Sequence, residues 1–251
     1  MNLLIEGAKG LGFELSARQV EQFGLYYEML VDWNSRVNLT AITDPEGVQV
    51  RHFVDSLTVG AALRTEMGDR EPQAGFRLMD VGTGAGFPGV PLKIVWPGMG
   101  LTLADSIGKK TAFLKELVNA LGLEDVEVVT ARAEELGQDK RHREKYGAVT
   151  ARAVASLAVL CEYCLPLVKV GGWMAAPKKG DISREIEEAQ RASRVLGGGE
   201  PRLHRFRLPG EDEERFVVVI EKVKSTPPGY PRRVGLAKAR PLGDRGSEDR
   251  R

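Results

Sequence analysis

Leu78-Met79-Asp80-Val81-Gly82-Thr83-Gly84-Ala85-Gly86-Phe87-Pro88-Gly89 is the stretch that decides the fold. An apolar run rises to an acid, breaks into glycines and resumes as Val90-Pro91-Leu92-Lys93-Ile94-Val95. The pattern reads as a strand, a tight loop and a helix start. Glycine reaches backbone angles that other residues resist, and it lets a ligand approach the main chain closely. The first N–H groups of the following helix lack partners within that helix and can face such a ligand. The stretch therefore predicts a nucleotide-type binding loop.

Downstream, strand and helix candidates alternate. Phe76–Val81, Leu101–Asp105, Val126–Thr130, Ala148–Ala151 and Gly172–Ala176 read as strands. Between and after them Val90–Trp96, Lys109–Leu121, Ser156–Leu167 and Ile182–Leu196 read as helices. This alternation predicts an α/β, doubly wound, mostly parallel sheet with helices on both faces. Leu203–Leu208 and Phe216–Val223 read as a terminal hairpin across Pro209–Glu214, which adds an antiparallel edge.

Upstream the chain reads as helical. Ser16 and Gln19 form a capping-box pattern before Val20, Phe23, Tyr26, Leu30 and Val31. Asp44-Pro45-Glu46 is a second helix start. Breaker-rich Gly68–Gly75 divides a helical N-terminal extension, 1–70, from a main domain, 71–223. The tail, 224–251, is basic and rich in Pro, Gly and Arg, with Asp244, Glu248 and Asp249 offsetting the charge. It is expected to be largely irregular, with its last residues disordered.

Composition bounds the function. With 42% hydrophobic and 28% charged residues in 251, the chain reads as globular. A net charge of +1 means that any electrostatic footprint must be local. No apolar run reaches membrane-span length, and Met1–Gly10 lacks a signal-peptide pattern, so a cytoplasmic setting is expected. Cys161-x-x-Cys164 lies within an apolar helix pattern and has no second pair. It reads as two small buried hydrophobes, and no metal site is expected.

The glycine loop fits two patterns. Gly84-x-Gly86-x-x-Gly89 matches the dinucleotide fingerprint, with Asp105 about 20 residues on. Asp80-x-Gly82-x-Gly84-x-Gly86 resembles the first motif of class I S-adenosylmethionine-dependent methyltransferases. In that class Asp80 would help hold the methionine part or an ordered water, and Asp105 would take the ribose hydroxyls. Two acids favour the second pattern: Asp80, two residues before the first glycine, and Glu134, just after the third strand.

Further segments carry a more specific resemblance. They are Asn38–Ile42, Arg51-His52-Phe53-x-Asp55-Ser56-Leu57, Ala104-Asp105-Ser106, Lys109-Lys110-x-x-Phe113-Leu114, Ala151-Arg152-Ala153-x-Ala155-Ser156-Leu157, Lys179-Gly180 and Tyr230-Pro231-Arg232-Arg233-x-Gly235. Together with the glycine loop they resemble the glucose-inhibited division protein B family, bacterial methyltransferases of guanine N7 in small-subunit ribosomal RNA. The resemblance spans Ser16 to Leu242. It implies S-adenosyl-L-methionine as cofactor, held at Gly82, Phe87, Ala133, Glu134 and Arg152. The broader class I pattern adds Asp80, Gly84, Gly86 and Asp105. It implies as substrate a guanine of 16S rRNA near the decoding region, as free RNA or within the small subunit. Arg152 is the expected positioning residue, and His52, Lys179, Arg232 and Arg233 are the expected RNA-facing residues. Nothing points to an obligate oligomer, so a monomer is expected.

Two absences agree. After the fourth strand stands Arg152-Ala153-Val154-Ala155 rather than an Asn/Asp-Pro-Pro-Tyr/Phe amine-methylation motif. There is also no Pro-Cys or Thr-Cys thiolate for cytosine C5. An NAD-dependent oxidoreductase and a non-catalytic RNA-binding assembly factor are the alternatives.

Overall fold

In the computed structural model, which describes residues 1–243, seven strands form one sheet. They are β1 (Arg77–Val81), β2 (Gly100–Asp105), β3 (Val126–Thr130), β4 (Tyr146–Thr150), β5 (Val168–Lys179), β6 (Arg202–Phe206) and β7 (Arg215–Glu221). Their order is β3-β2-β1-β4-β5-β7-β6. The first five run parallel, and β7 is antiparallel to both of its neighbours. Placing a reversed strand between β5 and β6 departs from the 3-2-1-4-5-6 order of dinucleotide-binding sheets. The chain winds outward through β1, β2 and β3, then returns to β4 beside β1. That reversal is a topological switch point, where ligands bind beyond the carboxyl ends of strands. Leu78 to Val81 of β1 are all buried, as a central parallel strand covered on both faces requires.

Neighbouring residues on a strand serve opposite faces. Leu78, Ala148, Val217 and Val219 pack with the N-terminal helices. Met79, Val149, Val218 and Ile220 pack with α8 (Leu157–Cys164) and α9 (Ser183–Leu196). The first face is covered by α1 (Asn2–Gly10), α2 (Ala17–Asn34), α4 (Asp55–Glu66), α5 (Gly89–Val95) and α6 (Gly108–Ala120). Phe23 and Phe53, 4.9 Å apart between ring centroids, share this core with the sheet. The early helices are thus one layer of the molecule.

The capping box at Ser16 and the Asp44 N-cap with Pro45 both form. The short α3 (Pro45–Val48) continues through a π-helical turn, Gln49–Val54, into α4. Such widened turns recur at functional sites, and this one carries Arg51 and His52. A short α7 (Ala133–Gln138) follows β3. Cys161 and Cys164 are free and buried, and burial pushes the Cys161 thiol up to about 12. The described part of the tail is pinned along the body and carries a short α10 (Leu236–Ala239). The expected disordered end, with Asp244, Glu248 and Asp249, lies outside the described residues.

Candidate active site

β1 delivers Asp80 to the switch point, fully buried. Its Oδ2 accepts from Thr83 Oγ1 at 2.6 Å and from the Gly89 N–H at 2.8 Å, so one oxygen ties together both ends of the glycine loop. Its Oδ1 is buried without a partner. Burial pushes the carboxyl up to about 6, against the two bonds to its charged form. Thr150 is the register partner of Asp80 on β4, and its Oγ1 is likewise buried and unpartnered.

The loop itself needs glycine. Gly82 and Gly84 sit at φ +67° and +61°, a region costly for side chains with a Cβ. This lets the Gly84 N–H reach Asp105 Oδ2 at 3.0 Å, while Asp105 Oδ1 accepts from the Ile107 N–H at 2.9 Å. From α2, Tyr26 donates to the Ala85 carbonyl at 2.6 Å and stacks on Phe87 at 5.2 Å.

Beside Asp105 lies a cavity of about 80 Å³. Gly82, Ala133, Glu134, Val154 and Lys238 line it with Asp105. Glu134, in the first turn of α7, is buried and accepts from the Gly235 N–H at 3.0 Å. Small-molecule sites usually hold roughly 300–1,000 Å³. Val154, in its lining, packs tightly on the glycine loop: a Cβ on Gly82 would lie 2.7 Å from Val154 Cγ2.

On the other side of the 151–156 loop opens a cavity of about 650 Å³. Arg152 stands at its inner wall. Its Nη1 donates to Asp55 Oδ2 at 2.9 Å and to the Arg51 carbonyl at 3.2 Å, and its guanidinium lies 5.0 Å over the Phe87 ring. The His52 ring also stacks on Phe87, at 4.5 Å, with its Nδ1 3.3 Å from Arg152 Nη2, and it meets Thr40 Oγ1 at 2.7 Å. Burial, then the Arg152 charge, lowers His52 to about 4, so it is neutral at physiological pH. Asp55 Oδ1 also lies 3.4 Å from Arg215 Nε.

The structure thus brings Asp80, Gly82, Gly84, Gly86, Phe87, Asp105, Ala133, Glu134 and Arg152 to one end of the sheet. His52 is largely buried beside Phe87 and Arg152, yet it joins the lining of the larger cavity. Lys179 is exposed at the mouth of the larger cavity, 3.5 Å from Glu213. Arg232 turns inward: its guanidinium is bound to Glu162 at 2.8 and 2.5 Å, away from that mouth. Arg233 is exposed. Asp55, Thr150 and Arg215 join the site without having been singled out. Asp55 stood within the Arg51–Leu57 motif, whereas Thr150 and Arg215 carried no signal of their own.

Relatives match this chain along most of its length. A family profile described as rRNA small subunit methyltransferase G matches residues 19–212. A ribosomal RNA small subunit methyltransferase G from an Exiguobacterium species is 50% identical over 95% of this chain and 97% of its own length. One of the same name from a Roseiflexus species is 49% identical over 96% of this chain and 100% of its own. A solved S-adenosylmethionine-dependent O-methyltransferase from Thermotoga maritima shares the fold at a TM-score of 0.51 and 16% identity, over 79% of this chain and 72% of that one. With a profile match that runs from within α2 to just past β6, and near-full-length relatives at this identity, the chain belongs to the rRNA small subunit methyltransferase G family.

Proposed function

We propose that this chain transfers a methyl group from S-adenosylmethionine to N7 of a guanine in 16S rRNA, in a loop near the decoding region. The observation that carries the reading is the pair of cavities flanking one loop. Val154 borders the smaller, and Arg152 and Ala153 border the larger. A donor on one side and an acceptor on the other would meet across the 151–156 loop.

The residues on the donor side fit the cofactor. The orphaned Asp80 Oδ1 and Thr150 Oγ1 offer acceptors for an ammonium group. Asp105 suits ribose hydroxyls, the Gly82–Gly86 backbone allows close approach, and Ala133 with Glu134 suits the adenine. When bound, S-adenosylmethionine supplies an electrophilic methyl group on a sulfonium.

The chain's own residues position and desolvate. Guanine N7 presents a lone pair and carries no proton at neutral pH, so no general base is needed. Neutral His52, engaged with Thr40, is not required as one. Arg152 presents a planar fork whose direction Asp55 sets, suited to orienting the acceptor. Orientation alone can supply several kcal/mol of barrier reduction, roughly 7–11 at best. The larger cavity has room for a base drawn out of its stack.

An rRNA substrate puts the work in the cytoplasm, and among the described residues no helix is long and apolar enough to cross a membrane. Calorimetric titration with S-adenosylhomocysteine and with NAD tests the donor site; the first is expected to bind and the second not. Methyl transfer to unmodified small subunits and to naked 16S rRNA, read as 7-methylguanosine by mass spectrometry, tests the acceptor. NAD binding alone, or a methyl group on another base position, would overturn the reading.

A further inference from the structure

The larger cavity faces five cations: Arg51, Arg152, Lys178, Lys179 and Arg215. Four carboxylates answer them, and these are of two kinds. Asp55 and Glu185 belong to the helical walls, where Asp55 holds Arg152 and Glu185 holds Lys178 at 2.8 Å. Glu211 and Glu213 instead arrive on the loop between β6 and β7.

That loop is built to present them. Leu208 is buried and anchors it. Pro209 and Gly210 form the centre of a turn closed by the Glu211 N–H onto the Leu208 carbonyl at 3.1 Å, with Gly210 at φ +71°. Proline followed by a glycine of positive φ is the type II arrangement, which fixes the chain direction. Glu211 Oε1 then accepts from Arg51 Nε at 2.7 Å, and its Oε2 lies 3.7 Å from Arg215. Glu213 Oε2 accepts from Arg215 Nη1 at 3.0 Å and lies 3.5 Å from Lys179. Cations from the π-helical turn, β5 and β7 therefore converge on two carboxylates of one loop. Guanidinium groups pair with carboxylates and phosphates through the same fork.

We propose that Glu211 and Glu213 stand where two backbone phosphates of the rRNA strand bind, so that the loop is an internal competitor which the strand displaces. The substrate class rests on the function proposed above. An isolated anion competes poorly against tethered carboxylates, whose effective concentration is high. A strand that sets two phosphates at the spacing of Glu211 and Glu213 displaces both together. Arg215 is mostly buried, so it exchanges one anion for another rather than standing unpaired. The loop thereby selects for an ordered strand over stray polyanions.

The test uses the full chain with Glu211→Gln and Glu213→Gln combined. The KM for unmodified small subunits is expected to fall about five-fold, or about 1 kcal/mol, the order of the partly exposed ion pairs that Glu211 and Glu213 make. The affinity for S-adenosylhomocysteine is expected to hold. The charge-preserving pair Glu211→Asp with Glu213→Asp is expected to stay near wild type, which separates charge from loop shape. If the wild-type chain transfers methyl groups and the Gln variant shows an unchanged or raised KM, the proposal is overturned. If the wild-type chain transfers none, the proposed function fails separately. Fluorescence anisotropy with a labelled single-stranded RNA oligonucleotide then decides, tighter binding by the Gln variant supporting the loop's role and equal or weaker binding overturning it.

Discussion

Asp80 and Thr150 face each other in register on β1 and β4, and each buries an oxygen that no group in the described chain satisfies. Among the described residues only one other side-chain atom, Trp96 Nε1, shares that condition. A buried polar group left unpaired costs about 1–3 kcal/mol. Two at the switch point mark where a ligand's donors belong. Asp80→Asn is therefore expected to weaken S-adenosylhomocysteine binding by about 10- to 100-fold, the worth of a charge-assisted hydrogen bond. Titration calorimetry measures it, and an unchanged affinity would remove Asp80 from the donor site.

Asp80 and His52 make opposite contributions to stability against pH. Burial raises Asp80 from 3.8 to about 6, so the folded chain holds that proton more tightly than the unfolded one. Its contribution is full below the unfolded value and is lost as pH rises through about 6. Burial and Arg152 lower His52 from 6.5 to about 4. Its contribution is present above the unfolded value and is lost as pH falls through about 4. Each amounts to about 3 kcal/mol by linkage, and the two windows overlap and offset. Relative to wild type, His52→Gln is expected to lose stability as pH rises from about 4 to 6, and Asp80→Asn to gain it. Urea unfolding across that range reads both slopes; parallel curves for the two variants would contradict the assignment.

The glycine loop and its acids were legible because each signal is local. Asp80 ends one strand, Asp105 the next, and Glu134 follows the third, and parallel pairing aligns those ends without further information. The insertion of β7 between β5 and β6 was not legible, since strand pairing depends on partners far apart in the chain. Asp55 and Arg152 are 97 residues apart, and their ion pair exists only once α4 lies across the sheet. Arg215 fell between the expected turn, Pro209–Glu214, and the expected strand, Phe216–Val223. Only the convergence of β7 on the π-helical turn gives it neighbours.

Gly82 and Gly84 share a positive φ but differ in surroundings, which yields a contrast. A Cβ at Gly84 meets nothing within 4 Å, whereas one at Gly82 strikes Val154. Gly84→Ala is expected to cost only the backbone strain, about 1–2 kcal/mol. Gly82→Ala is expected to cost more and to lower methyl transfer, because displacing Val154 shifts the loop that carries Arg152. Val154→Ala in the Gly82→Ala background removes the clashing methyl and is expected to recover the difference. A double-mutant cycle in urea gives the coupling; strict additivity would show that Val154 does not press on Gly82.

Arg232 and Arg233 are adjacent in sequence and opposite in surroundings. Arg232 grips Glu162 through Nε and Nη2, and its own N–H adds a third bond at 2.8 Å. Glu162 is fully buried on α8. Arg232→Ala leaves that carboxylate without its cation and is expected to cost about 3 kcal/mol or more. Glu162→Gln added to it is expected to restore part of the loss. Freeing the tail also withdraws the Gly235 N–H from Glu134, so affinity for S-adenosylhomocysteine is expected to fall with stability. Arg233→Ala is expected to leave stability within about 0.5 kcal/mol. If Arg233 meets a phosphate, its loss reduces the salt slope of rRNA binding by about 1. Unfolding curves and a salt series on both variants separate the two roles. An Arg232→Ala variant with native stability and a flattened salt slope would return Arg232 to the RNA face.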